Sequence, residues 1–387
     1  MKILIITDYF QPILGYTPTY LWKELIKQWH EILIFTSDHY YPFPDYKNTS
    51  GKILWPRKQK IWFTHEEWLP TMREKMEYEI FNRCKISNTE KNIKDFWPDY
   101  IIMSWIASIT AIEISKLKNK YNFKLVCFDS HLMSVLNDWF LWKSFYFIFR
   151  ILFSKFLEKK VDKFIWVQEE TCEIINKYYW ISKKRIEFIP LWTDTEKFKF
   201  DKKERTLLRK KYNLTENAIV LIYTGKLIKE KWYELLIKAT SKVIRNNNNV
   251  YVCIIGSWSD EYIWEVNKEI KDIKQNYIFE NFVKNQELYK YYSMSDIWIW
   301  PLQESVTMVE AAACNLPFIA NDKIGTKLRI SNNNAILYEQ WNTEDLYEKI
   351  KYLVENKQER VNMWKRGRDL VEEKLSWKNI SKEYLKV

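Results

Sequence analysis

Residues 296–317, DIWIWPLQESVTMVEAAACNLP, hold a strand, a loop, a helix and the start of a second strand. Ile297–Trp300 is an unbroken apolar run of strand length, and Pro301 closes it because proline has no N–H for a central ladder. Ser305–Ala313 then reads as an alanine-rich helix and Pro317–Ala320 as the next buried strand. Strand, helix and strand in so short a span make a βαβ unit, and such units build parallel sheets.

The same alternation extends in both directions. Upstream, Ala218–Tyr223, Tyr251–Ile255 and Tyr277–Phe279 read as strands, with helices over Tyr233–Arg245, Glu261–Lys271 and Asn285–Met294 between and after them. Downstream, Thr343–Asn356, Gln358–Lys374 and Trp377–Leu385 are helical. The first half repeats the scheme. Strands are expected at Lys2–Ile6, Glu31–Thr36, Tyr100–Met103, Lys124–Phe128 and Phe164–Val167, and helices at Thr19–Gln28, Ile109–Asn119 and Glu169–Tyr179. The mixed, then strongly basic segment Ile186–Lys211 marks the boundary. The expected fold is α/β: two Rossmann-like domains, 1–190 and 191–365, facing each other across a cleft, with helices of 366–387 returning to the first.

Composition narrows the function classes. At 387 residues, with 47% hydrophobic and 29% charged residues, the chain is globular. The net charge of +11 favours acidic partners, although a Lys-rich coding bias accounts for it equally well. The five cysteines are scattered, with no C-x-x-C, and the four histidines form no H-E-x-x-H; a zinc site or disulfide framework is not expected, and a reducing cytoplasm fits. No dispersed basic residue belongs to a nucleic-acid motif, so no nucleic-acid partner is expected. MKILIITDYF reads as a first buried strand rather than a signal peptide. No run of about 20 uncharged apolar residues suggests a spanning helix. Trp139–Lys160 is apolar, aromatic and basic, and reads either as a segment lying on an anionic membrane surface or as a buried helix pair.

Several segments, in order, resemble the GT-B glycosyltransferases, in particular the retaining family 4 of glycogen-synthase and mannosyltransferase type. Ile5–Tyr16 (IITDYFQPILGY) is similar to its opening strand and glycine loop, and Gln28–Glu31 to its GHE. Glu187–Phe198 (EFIPLWTDTEKF), Tyr223–Trp232 (YTGKLIKEKW), Cys253–Asp260 (CIIGSWSD) and the stretch 296–317 resemble its domain-crossing, diphosphate, glycine-turn and donor-site segments. Trp29, Trp192, Trp232 and Trp258 stand where that family has glycine, and Trp166, Trp180, Trp341 and Trp364 look similar. These are read as turn and helix-start positions, where glycine supplies positive φ or close approach. The chain has six glycines, against a usual share of about 7%, and 20 tryptophans. Together the two make an ordinary glycine share, which suggests UGA codons read as glycine in the source. Trp300 and Trp377 resemble genuine family tryptophans.

The resemblance implies a nucleotide-sugar donor and a glycan or lipid-linked acceptor, with the anomeric configuration retained. It also implies a cytoplasmic or membrane-peripheral enzyme of envelope polysaccharide or glycolipid synthesis. The sequence has no D-x-D; Asp194-Thr195-Glu196 is the nearest miss. No metal or cofactor is therefore expected, and the diphosphate must be met by the protein's own cations and amides. Lys226 and Lys231, with Gly225, precede the helix from Tyr233 and would take that role; Lys226 replaces the usual arginine. Glu310 would bind the ribose hydroxyls, with Ser305, Val306 and Thr307 beside it. The family's other glutamate position is Leu302, and Glu304 falls out of register. Gly15 and Tyr16 occupy the Gly-Gly loop, and His131, in Asp129-Ser130-His131 after a buried strand, would face the transferred sugar. The rival readings are a non-catalytic carbohydrate-binding relative, if the tryptophans are genuine, and another GT-B enzyme such as a nucleotide-sugar epimerase.

Overall fold

A computed structural model describes residues 1–14, 17–43, 54–129, 140–167, 172–189, 193–225, 233–256, 260–301, 307–323 and 327–386. The chain divides into two compact units, Met1–Pro190 with Ile380–Val387, and Leu191–Asn379.

The first unit contains strands β1 (Lys2–Thr7), β2 (Glu31–Ser37), β3 (Phe63–Glu66), β4 (Leu69–Glu74), β5 (Met76–Ile80), β6 (Arg83–Ile86), β7 (Tyr100–Ser104), β8 (Lys124–Asp129), β9 (Lys163–Trp166) and β10 (Ile186–Phe188). Its helices are α1 (Thr17–Lys27), α2 (Thr89–Phe96), α3 (Ile109–Tyr121), α4 (Phe140–Lys160) and α5 (Cys172–Tyr179). The main sheet runs β10-β9-β8-β7-β1-β2-β4-β3, all parallel except for the β3–β4 hairpin; β5 and β6 form a separate hairpin. β1, β7 and β9 are almost wholly buried, as parallel strands covered on both faces must be. The chain builds outward from β1 to one side through β2 and to the other through β7, so the order reverses between β1 and β7.

The second unit follows with α6 (Lys202–Lys211), β11 (Ile219–Thr224), α7 (Tyr233–Asn246), β12 (Val250–Ile255), α8 (Asp260–Glu269), β13 (Tyr277–Glu280) and α9 (Leu288–Met294). It continues with β14 (Ile297–Trp300), α10 (Thr307–Ala313), β15 (Phe318–Asn321), β16 (Ala335–Tyr338), α11 (Thr343–Glu355), α12 (Lys357–Lys374) and α13 (Trp377–Tyr384). Its sheet is parallel throughout, in the order β13-β12-β11-β14-β15-β16. Here the reversal falls between β11 and β14. Ligands of open α/β sheets bind outside the carboxyl ends of the strands at such a reversal.

Several elements escape the sequence pattern. The boundary segment holds a strand, β10, and a helix, α6, whose first turn is capped by Asp201 Oδ1 accepting from Lys203 N (2.8 Å) and Glu204 N (3.1 Å). Strands β3 to β6 and β16 are four to six residues long and partly exposed, so no apolar run betrays them. Only Ile380–Val387 joins the first unit; α12 belongs to the second. Trp166 and Trp364 do not lie at turns: Trp166 is buried inside β9 and Trp364 sits within α12. Trp192, Trp232 and Trp258 lie outside the described residues. No described helix is long and apolar enough to cross a membrane.

Candidate active site

Three βα connections of the second unit leave the same sheet edge. The one after β11 starts at Gly225, the one after β12 at Gly256 and the one after β14 at Pro301. Gly225 N donates to Ile255 O at 2.8 Å and Gly256 N to Glu280 O at 3.1 Å, which brings both turns flush with the neighbouring strand ends. A Cβ on Gly225 would sit 3.1 Å from Tyr223 Oη and 3.2 Å from Trp300 Cη2. Those two rings stack at 5.2 Å, so any side chain at 225 would have to push one of them aside, which glycine avoids. Lys226, Lys231, Ser305 and Val306 lie outside the described residues, as do Gly15, Tyr16 and His131 of the first unit. Thr307 opens α10.

Glu310 is on α10, directly after the β11/β14 reversal, and is buried. Its Oε1 accepts from Asn285 Nδ2 at 2.8 Å, and Asn285 Oδ1 accepts from Lys197 Nζ at 2.9 Å. The lysine thereby orients the amide, turning its NH2 towards the carboxylate. Oε2 is buried with no hydrogen-bond partner among the described residues. Burial pushes the carboxyl up to about 7, against the Asn285 hydrogen bond, the Lys197 charge and the nearby Tyr292 hydroxyl, which all favour the anion. Tyr292 Oη also lies 3.4 Å from Thr224 Oγ1, linking this group to the end of β11 beside Gly225. A carboxylate with one oxygen held and one free is suited to accept hydroxyl donors.

Asp8, at the carboxyl end of β1, is the counterpart in the first unit. Its Oδ2 accepts from Cys84 N (3.1 Å) and its Oδ1 from Ser108 Oγ (2.8 Å). Its backbone carbonyl accepts from Ser37 Oγ at 2.5 Å. Ser108 Oγ in turn accepts from Thr110 N at 3.2 Å and so caps α3. Asp8 joins the ends of β1 and β2 to β6 and the start of α3. Burial raises its carboxyl to about 6.

Sequence reading singled out Gly225, Thr307 and Glu310, and the structure brings Gly225 and Glu310 to one sheet edge. It did not assign roles to Lys197, Asn285, Tyr292 or Asp8. Lys197 stands in the quoted TEKF and Asp8 in IITDYF, so both were in view; nothing in the local pattern around Asn285 marks it.

Comparison with known proteins bears on the fold. Three solved structures superpose over nearly the full chain. HepE from Anabaena, crystallised with UDP, has a TM-score of 0.71 at 13% identity, covering 100% of this chain and 98% of that one. A glycosyltransferase from Rickettsia africae has a TM-score of 0.72 at 17% identity (99% and 96%), and WaaG, a glycosyltransferase of lipopolysaccharide biosynthesis, 0.61 at 12% (99% and 98%). The fold is GT-B. Within this GT-B chain, residues 204–370 match the family model of glycosyl transferases group 1. Spore coat protein SA of Bacillus subtilis is 27% identical over 214 residues, 51% of this chain and 54% of that protein. A GDP-mannose-dependent phosphatidylinositol monomannoside mannosyltransferase of Corynebacterium glutamicum is 23% identical over 229 residues, 56% of this chain and 59% of that protein. The chain thus spans about half the length of the curated relatives it matches.

Proposed function

We propose that this protein is a retaining glycosyltransferase that moves a sugar from a nucleotide-sugar donor to a glycan or lipid-linked acceptor. The observation that carries this reading is Glu310, with Oε1 held by Asn285 and Oε2 buried without a hydrogen-bond partner among the described residues, at the reversal point of the second sheet. Ribose hydroxyls would donate to Oε2, while Lys226, immediately after Gly225, and Lys231, five residues further on, would meet the diphosphate. The absence of D-x-D supports diphosphate stabilisation by these lysines without a metal. His131 would face the transferred sugar, with Gly15 and Tyr16 in the loop after β1. No protein nucleophile is needed, because positioning and charge stabilisation carry the step. The UDP bound to HepE and the GDP-mannose named for the corynebacterial relative make those two nucleotides the first probes. Thermal stabilisation by UDP or GDP, lost in Lys231→Ala, would support the reading; stabilisation by neither would count against it.

We further propose that many of the tryptophans are glycines in the native protein. Among the described residues, six of the fourteen non-glycine residues with left-handed φ are tryptophans: Trp29, Trp68, Trp97, Trp105, Trp180 and Trp341. Six others are asparagine, which tolerates this conformation; an indole gains nothing from it. Trp29 is 93% exposed and Trp68 86%, so burial does not offset the strain. Peptide mass spectrometry of the protein from its source, read at positions 29, 68, 232 and 258, tests this directly: glycine supports it and tryptophan refutes it.

A further inference from the structure

The 21-residue helix α4 has two dissimilar faces. Tyr146, Phe149 and Leu157 point inward and are buried, with Phe149 against the Tyr179 ring at 5.7 Å. Phe147, Ile148, Ile151 and Leu152 point the other way, and each is more than half exposed. Lys155 and Lys159 continue that exposed face. At 3.6 residues per turn these six residues fall within an arc of about 140°. Single exposed apolar residues are ordinary, but four large ones side by side are not.

We propose that this face of α4 docks on an anionic lipid surface. The charge pattern selects that partner. Among α4 residues only Glu158 is acidic, and its Oε1 accepts from Ser182 N at 2.9 Å. Lys183 and Lys184 are exposed on the adjoining turn, which Arg185 ties to the end of α4 by donating to Glu158 O (3.2 Å) and to Val161 O just beyond the helix (2.5 Å). The helix is bound along its inner side by the fold, so it lies along a surface rather than crossing it. Phe147, Ile148, Ile151 and Leu152 enter the acyl boundary, and the lysines reach phosphate headgroups. A second copy of the chain would bring these lysines against their own counterparts, and the single acid on the arc, Glu158, is already engaged by Ser182 N. The inference goes beyond the donor chemistry and is read by binding alone, so it stands or falls separately from the transferase reading.

The test is co-sedimentation of the full chain with vesicles of phosphatidylcholine, alone or mixed with phosphatidylglycerol. Binding is expected to the mixed vesicles and to weaken with salt. Ile148→Glu with Ile151→Glu is expected to reduce it at least about tenfold, and Lys155→Glu with Lys159→Glu to abolish the preference for phosphatidylglycerol. All four positions are exposed, so the melting temperature is expected to hold. Should the double glutamate variant misfold, Leu152→Ser, with a loss of about threefold, replaces it. Failure of the parent chain to bind, equal binding to both vesicles, or unchanged binding by the variants overturns the proposal. So does a solution dimer that the glutamate variant dissociates.

Discussion

Asp8 and Glu310 occupy equivalent places in the two units: each is a buried carboxylate at the carboxyl edge of its sheet, next to the point where strand order reverses. They differ in what their oxygens do. Asp8 has both committed, to Cys84 N and Ser108 Oγ, and knots four segments together. Glu310 has Oε1 committed to Asn285, while Oε2 has no hydrogen-bond partner among the described residues. Burial raises both carboxyls, to about 6 and about 7. Equal burial therefore does not imply equal purpose. A carboxylate with both oxygens engaged inside the protein ties segments of the fold together, whereas one with an oxygen in reserve can still accept from a ligand.

The largest effect should separate the two most plainly. Asp8→Ala leaves the Cys84 N–H and the Ser108 hydroxyl without their acceptor in the core and should cost about 3 kcal/mol in denaturant unfolding, with nucleotide affinity changed little once folded. Glu310→Gln should do the reverse. Its amide oxygen still accepts from Asn285, but its NH2 replaces the free acceptor, so donor affinity measured calorimetrically should fall about 30-fold.

The pH dependence of stability gives the second contrast. Glu310's folded value lies above its ordinary one. The stability it contributes by staying neutral is full below about pH 4.5 and lost as pH rises through about 7. A rise from 4.5 to about 7 corresponds to roughly 3 kcal/mol. Glu310→Gln cannot ionise, so without ligand it should melt above the parent at about pH 8.5 and level with it near pH 4.5. Asn285→Ala is subtler: removing the donor to Oε1 should raise the Glu310 carboxyl further, moving the midpoint of donor binding to higher pH with a several-fold loss of affinity at neutrality. The smallest effect comes from two turns of the first unit. Glu67 and Trp68 join β3 to β4 with φ of 49° and 68°, a two-residue turn with left-handed φ at both positions, and Phe81-Asn82 joins β5 to β6 in the same way (49° and 55°). Trp68→Gly should stabilise by about 1 kcal/mol, whereas Asn82→Gly should do much less.

What was legible in the sequence follows from the range of the interactions. The central strands announced themselves because burial on both faces writes continuous apolar runs, as in β1, β11 and β14. Glu310 was legible because its segment resembles a donor-site motif, and its apolar neighbours in MVEAAA argue against a solvated face. Its partners were not: Asn285 lies 25 residues away, and Lys197 a further 88 from Asn285, so only the closed fold brings them together. Asp8 was hidden for the same reason, its acceptors being used by Cys84 and Ser108. The β3–β4 and β5–β6 hairpins were missed because neither turn carries an Asn-Gly or Asp-Gly signal; Glu67-Trp68 and Phe81-Asn82 do not read as turns.

The return of Ile380–Val387 to the first unit sets a clock on the birth of the molecule. Tyr100 Oη donates to Leu385 O (3.1 Å), Lys163 Nζ to Glu383 O (2.8 Å) and Gln28 Nε2 to Ser381 Oγ (2.6 Å). None of these acceptors exists until the ribosome has passed through the whole of Leu191–Asn379, an interval on the order of 10–40 s. Throughout it, the nascent first unit must keep the Lys163 ammonium, on a buried strand, without two of its carbonyl partners. Loss of the last few residues would then injure the half of the protein that is made first, and a degradation signal caused by such a lesion would originate far from the cut in sequence.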